Sequence, residues 1–140
     1  MPEENFNIIT EGYWREKNCQ YIPNYNGIYF VYLAAYEEKD DTIHPKTLVY
    51  IGQAAKVREA IDGRIATDNP WLQFRKENYE FCFSTACIPK PNTERVLSAF
   101  VYRYKPPANT DYVTYFTYEP TTITVTGKTA LLESQFTVEK

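Results

Sequence analysis

A nine-residue apolar run, from Gly27 to Ala35, constrains the fold more than any other feature of the sequence. The run reads GIYFVYLAA, and its aromatic and β-branched residues favour a β-strand. Because successive side chains of a strand point to opposite sides, this strand is apolar on both faces. Strands of that kind lie at the centre of a sheet and need other elements against each face. With 140 residues, the chain is long enough to supply them within one domain.

The patterns around this run predict an α+β protein in the order β-β-α-β-α with a β-rich tail. A charged segment separates the first strand from the second, so the two are expected to form an antiparallel hairpin. The expected strands are 27–35, 47–52 and 79–87, and the expected helices are 54–65, 71–76 and 93–104. In the tail, we expect β-rich runs at 112–118 and 121–126 and a short helix near 128–134.

Basic residues concentrate in the middle of the chain. The net charge is −3, but the span from Lys56 to Lys105 holds nine Lys and Arg against six Asp and Glu. A basic middle favours contact with nucleic acid. No apolar run is long enough for a membrane span, and the acidic N-terminal residues differ from a secretory signal. The three cysteines show no metal-ligand spacing, so we expect free thiols, a cytoplasmic location and no membrane partner.

Glu94 is the acidic residue whose position most needs a partner. At about 100° per residue, it lies on the same side of the expected helix as Leu97 and Val101. An unpaired carboxylate there is costly, so a metal ion, an arginine or hydrogen bonds should compensate it. The alternative is a first-turn acid that the helix dipole favours.

Two arginines and two tyrosines are further candidates. Arg58 and Arg64 lie on opposite margins of the apolar stripe of the expected helix 54–65, and either guanidinium could meet a phosphate or a carboxylate. Tyr29 and Tyr50 lie near the ends of two neighbouring strands, where packed aromatics are also common. Taken singly, these residues leave both interpretations open.

Two tripeptides, Gly27-Ile28-Tyr29 and Tyr50-Ile51-Gly52, are followed along the chain by Arg64, Glu94, Lys105-Pro106 and Asn109. In order and context these motifs resemble the GIY-YIG nuclease family, over residues 27–109. The resemblance implies a small three-stranded antiparallel central sheet flanked by helices. It divides the chain into an N-terminal extension packed on the domain at 1–26, a nuclease-like domain at 27–110, and a β-rich C-terminal extension of that domain at 111–140.

The resemblance also implies endonuclease activity, the hydrolysis of DNA phosphodiester bonds with one divalent cation, Mg²⁺ or Mn²⁺. Glu94 would hold the metal, which would neutralise charge on the leaving oxygen. Tyr29 or Tyr50 would orient the attacking water and take its proton, for which a nearby cation must lower the pKa of the phenol. Arg64, or Arg58 in its place, would bind the scissile phosphate.

Three more residues complete the implied site. Asn109 would brace it from the loop after the second long helix, and Gly52 would allow close approach of the backbone. Lys105 would add a contact to the substrate, as would Arg58. The expected partner is DNA, branched or damaged forms included, with a protein partner that supplies specificity.

Asp68 is the departure from the family pattern, because many members have His or Tyr four residues after the helix arginine. An anion there would repel the substrate phosphate. The alternative function is therefore a catalytically silent module on the same fold that binds nucleic acid or a protein partner. The acidic flanks also allow a third function, a protein-interaction domain that binds no nucleic acid.

Overall fold

The structure is a computed structural model that describes residues 3–65 and 69–140. Within those ranges, the strands are β1 (Glu4–Arg15), β2 (Gly27–Glu37), β3 (Thr42–Ala54), β4 (Glu80–Cys87), β5 (Thr121–Gly127) and β6 (Gln135–Val138). The helices are α1 (Val57–Ile65) and α2 (Lys90–Tyr104), with short 3₁₀ helices at Glu16–Tyr21 and Leu72–Phe74.

The strands form one curled, mixed sheet in the order β3-β2-β4-β1-β5-β6. Strands β3, β2, β4 and β1 pair antiparallel, β1 and β5 pair in parallel, and β5 and β6 pair antiparallel. The expected fold, a small three-stranded antiparallel sheet flanked by helices, is therefore wrong. In the described residues the sheet has six strands, few helices accompany it, and the structure is mostly β.

Strand β1 causes most of that difference. It lies between β4 and β5, so residues of the expected N-terminal extension form an inner strand of the sheet. Its side chains alternate, with Ile8 and Thr10 buried and Ile9 67% exposed. The Thr10 hydroxyl donates to the carbonyl oxygens of Thr126 and Lys128, which ties β1 to the end of β5.

Several element boundaries also differ from the sequence prediction. Residues 112–118 form no strand, and residues 128–134 form no helix. Segment 112–118 packs its aromatic rings on α2 instead, as Phe116 does against Tyr102 at 6.1 Å between ring centroids. Helix α2 begins at Lys90 because Pro91 is acceptable in the first helical turn, where its missing N–H would have no helical partner.

Strand β2 has two buried faces, which confirms the prediction made from its uncharged sequence. The even-numbered residues from Ile28 to Ala34 belong to the core under α2. The odd-numbered residues from Tyr29 to Leu33 belong to a second core with α1 and Trp71. Full burial of each large apolar side chain contributes about 1.5–3 kcal/mol, so β2 is held firmly between both layers. None of the helices in the described part of the chain has the length and apolar character to cross a membrane.

Candidate functional site

A cavity of about 400 Å³ lies beside the edge strand β3. Five of the residues expected at the site line it: Tyr29, Tyr50, Gly52, Arg64 and Asn109. Strands β2 and β3 carry the first three, α1 carries the arginine, and the loop after α2 carries the asparagine. The remaining lining residues are Ile51, Gln53, Pro70, Leu97, Ala108, Thr110, Asp111 and Tyr112.

Gly52 makes room for the ring of Tyr29. The two residues are directly opposite each other in the β2–β3 pairing. A Cβ atom at position 52 would lie 2.5 Å from the Tyr29 hydroxyl oxygen and closer still to the ring. Non-bonded carbon and oxygen atoms do not approach so closely, so any larger residue would push the tyrosine out of place. The glycine of one tripeptide thus fixes the tyrosine of the other.

Trp71 packs against both tyrosines and holds their rings in position. Ring centroids lie 6.0 Å apart for Tyr29 and Tyr50, 6.4 Å for Tyr29 and Trp71, and 5.4 Å for Tyr50 and Trp71. Asn69 links this cluster to the end of α1, because its amide accepts from the Trp71 N–H and donates to the Arg64 carbonyl. Trp71 was not among the residues expected at the site, although its position just after Pro70 indicates a turn beside that site.

The hydroxyl of Tyr29 remains protonated at neutral pH. Burial raises its pKa above the ordinary tyrosine value, and the neighbouring Tyr50 adds to the rise. The Arg64 guanidinium, which interacts with the Tyr29 phenol, opposes the rise without cancelling it. The direction is opposite to the lowering expected for a general base, so the phenol of Tyr29 does not match that role.

Asn109 braces the outer edge of the sheet. Its side-chain oxygen accepts from the Ile51 N–H at 3.0 Å, and its amide nitrogen donates to the Ile51 carbonyl at 2.9 Å. The N–H of Ala108 donates to the Val49 carbonyl at 2.9 Å. These bonds satisfy backbone groups of β3 that face no further strand, and they attach the loop after α2 to the cavity.

Arg64 and Arg58 are separated by the way α1 packs. Arg64 lines the cavity and contacts Tyr29, whereas Arg58 is not among the lining residues. Among the described residues that line the cavity, Arg64 is the single cationic side chain and Asp111 the single carboxylate. The cavity therefore combines one exposed guanidinium with phenol and amide groups, a set suited to a phosphate or another oxyanion.

Glu94 is exposed and lies in a neighbouring cavity of about 390 Å³, which shares Gln53 with the first. Its carboxylate accepts from the Tyr112 hydroxyl at 2.9 Å and from the Tyr118 hydroxyl at 3.2 Å. Two phenols thus provide the compensation expected for this acid. Burial, followed by the Glu94 hydrogen bond and charge, raises the pKa of Tyr112 to about 12.

Lys105 lies apart from both tyrosines of the tripeptides. It ends α2 in a left-handed conformation, with φ of 46°. Its ammonium group donates to the carbonyl oxygens of Tyr102 at 2.8 Å and Val113 at 2.6 Å. Lys105 therefore fastens the loop after α2 to the helix and is not brought to the cavity.

The described residues offer a divalent cation single carboxylates and no cluster of ligands. Within residues 3–65 and 69–140, no three His, Cys, Asp or Glu side chains gather as a metal centre. Mg²⁺ is often held by one or two carboxylates while it keeps several waters and binds substrate phosphate. Each Glu94 oxygen accepts one phenolic hydrogen bond and retains a lone pair, so Glu94 fits as a ligand of such a hydrated ion.

Asp111 and Tyr112 are cavity residues that the sequence analysis missed. They follow Asn109 in a segment after two prolines, where turn-forming residues indicate a loop, and loops often carry site residues. Asp68, on which the silent alternative depends, lies outside the described residues. In comparisons with known proteins, no family model matched this chain, and neither a curated protein nor a solved structure matched it.

Proposed function

We propose that this protein is a divalent-metal-dependent endonuclease of the GIY-YIG type that hydrolyses phosphodiester bonds of DNA. The observation that supports this most strongly is the convergence of Tyr29, Tyr50, Arg64 and Asn109 around one cavity. The order of the motifs along the chain predicted that they share a site, although they are up to 80 positions apart. A protein partner would supply sequence specificity. The protein acts in the cytoplasm, where its three free cysteines stay reduced.

In this proposal, Arg64 binds the scissile phosphate and stabilises the negative charge of the pentavalent transition state. Protonated Tyr29 donates a hydrogen bond toward the same phosphate, since its pKa is raised and its hydroxyl lies beside Arg64. Tyr50, which is half-buried, orients the attacking water with its hydroxyl group. As this water attacks the phosphorus, its proton passes to solvent, and the leaving oxygen takes a proton from solvent. Glu94 would hold Mg²⁺ or Mn²⁺, which when bound neutralises charge on the leaving oxygen.

A specific observation favours the second candidate, a silent module that binds nucleic acid. The pKa of Tyr29 is raised instead of lowered, and both oxygens of Glu94 already accept phenolic hydrogen bonds. A cavity with one guanidinium and several donors can bind a phosphate without cleaving its ester bonds.

Nicking of a supercoiled plasmid tests the proposal. We expect the wild type to nick DNA with Mn²⁺ and to stop when the ion is chelated. Glu94→Ala and Tyr29→Phe should abolish nicking, whereas Glu38→Ala, an exposed acid in the turn between β2 and β3, should retain it. Full activity in both site variants would contradict these roles.

DNA binding without cleavage distinguishes the silent module. Its affinity should fall as salt rises, because phosphate contacts release counterions. Absence of DNA binding even at low salt would instead leave the protein-interaction domain as the function.

A further inference from the structure

Two neighbouring tyrosines, one half-buried and one exposed, extend from the lining of the cavity. Tyr112 lines the cavity, and the ring of Tyr115 lies 5.9 Å from it between centroids, at an angle of 54°. Tyr115 is 48% exposed, a high value for a large aromatic side chain. The pair therefore presents an accessible aromatic surface directly beside the residues that surround Arg64.

The backbone and side-chain bonds of the loop hold Tyr112 in this place. Its φ is 67°, in the left-handed region that a bulky residue rarely adopts. Such a conformation persists only where the surroundings fix it. Here the Tyr112 hydroxyl donates to Glu94, and Lys105 binds the carbonyl of the next residue, Val113. The ring at the rim is thus fixed in advance of any ligand.

The charges of the cavity differ between its two sides. Arg64 provides the positive charge next to Tyr29 and Tyr50. The carboxylates of Asp111 and Glu94 lie beside Tyr112, and the ammonium group of Lys105 is bound to the backbone of the next residue, Val113. A phosphate is therefore attracted more strongly to the arginine side, where no carboxylate among the described residues is paired, than to the tyrosine side. An uncharged flat group suits the tyrosine side, and the amino groups of a nucleobase could donate to a carboxylate there.

We propose that Tyr112 and Tyr115 form a stacking surface for an unpaired nucleobase next to the phosphate that Arg64 binds. The substrate class is then DNA with an unpaired nucleotide at the site of cleavage, as in a bulge, a branch or a single strand. Bases within a duplex are covered on both faces by their neighbours, whereas an unpaired base has a free face for an aromatic ring. This inference rests on the proposed function, because it assigns the phosphate to Arg64.

Binding measured by fluorescence anisotropy without divalent ions tests this surface. The probes are a duplex with one unpaired 2-aminopurine bulge and the matched, fully paired duplex. We expect Tyr115→Ala to weaken binding of the bulged DNA about tenfold and to change the paired duplex less than twofold. Tyr115→Phe should bind as the wild type does, because it keeps the ring. Tyr21→Ala, which removes a tyrosine that is 68% exposed and outside the cavity, is the matched control.

The fluorescence of the 2-aminopurine gives a second readout, since stacking on an aromatic ring quenches it. Quenching by the wild type and by Tyr115→Phe, but not by Tyr115→Ala, would support the proposal. Equal weakening of both duplexes, or no effect of Tyr115→Ala, would overturn the stacking surface. If the wild type still nicks plasmid DNA in that case, the endonuclease function stands while the substrate class falls. If the wild type binds neither duplex, the stacking surface is overturned, and plasmid nicking with Mn²⁺ alone decides the endonuclease function.

Discussion

Tyrosines occupy two neighbouring places in this molecule and have opposite partners there. In the arginine–tyrosine cluster, Tyr29 and Tyr50 lie beside the guanidinium of Arg64. In the carboxylate–tyrosine cluster, Tyr112 and Tyr118 donate hydrogen bonds to Glu94. Gln53 and Tyr112 connect the two clusters, since both line the cavity that holds Arg64. Gln53 also lines the cavity of Glu94, and Tyr112 donates a hydrogen bond to Glu94.

The difference shows which physical effect determines the protonation of these phenols. A guanidinium lowers the pKa of a neighbouring phenol and a carboxylate raises it. Nevertheless the pKa of Tyr29 and that of Tyr112 are both raised, because burial is the largest cause in each case. Tyr29 and Tyr112 are therefore protonated at neutral pH. Tyr112 and Tyr118 are already bound to Glu94, whereas Tyr29 interacts with Tyr50 and Arg64 in the lining of the cavity.

Replacing the cation of the first cluster should have the largest effect. Arg64→Ala removes the group that would bind the scissile phosphate, so nicking should fall by about 10²–10³-fold. Arg58→Ala, on the same helix but outside the cavity, should keep most of the activity. Rates on the same plasmid substrate provide the measurement. If the Arg58 variant loses more activity than the Arg64 variant, the assignment of the arginine is wrong.

Filling the space under Tyr29 should have the next largest effect. Gly52→Ala adds a Cβ atom where the Tyr29 ring lies, and such overpacking costs about 1–3 kcal/mol of unfolding free energy. Gly63→Ala is the control, because a Cβ atom at that helical position meets no atom of the described residues within 4 Å outside its own helix and its chain neighbours. Alanine favours a helix over glycine by up to about 1 kcal/mol, so this variant should be slightly more stable. Urea unfolding of both variants measures the contrast, and equal stabilities would contradict the close packing at Gly52.

The smallest expected effect is a change of unfolding free energy at alkaline pH. It compares Tyr29 of the first cluster with Tyr112 of the second. In the unfolded chain tyrosines titrate near a pKa of about 10, and in the folded protein Tyr29 and Tyr112 titrate higher. Above that pH the unfolded state binds fewer protons than the folded state, so stability falls as pH rises. Each phenol contributes at most about 1.4 kcal/mol per pH unit, and for Tyr112 the window extends from pH ~10 to its folded pKa.

Urea unfolding between pH 9 and 11 measures this slope. Tyr29→Phe should make it shallower, because the phenol removed is almost fully buried. Tyr112→Phe should make it shallower by a similar amount, because both phenols stay protonated in the folded state up to pH 11. The two variants should diverge only nearer pH 12, where folded Tyr112 begins to lose its proton. A slope that neither substitution changes would show that burial does not control these phenols.

The sequence predicted the residues of the first cluster better than the sheet that carries them. Tyr29, Tyr50 and Gly52 belong to short motifs at the ends of two strands that are neighbours in the sequence and pair as a hairpin. Strand β1 was missed although Ile8 and Thr10 follow an alternating pattern, because many of the surrounding residues are polar. Its partner β5 lies more than 100 residues away, and no local pattern reports such a pairing.

The choice between Arg58 and Arg64 shows the same limit. Both lie on margins of the apolar stripe of one helix, so periodicity alone does not show which of them belongs to the site. Only the docking of α1 on the sheet brings Arg64 to Tyr29 and leaves Arg58 outside the cavity. Glu94 was expected near the apolar side of α2, and its hydrogen bonds come from Tyr112 and Tyr118 in a loop whose path the sequence did not predict.

The sequence by itself determined that β2 is a buried central strand, because a run of nine apolar residues is most stable between two apolar layers. It also determined the β2–β3 hairpin, in which Gly52 lies opposite Tyr29. The tertiary structure alone decided the number and order of strands, the arginine at the cavity and the partners of Glu94. These depend on contacts between distant segments, and their free energy comes from how surfaces fit together after folding.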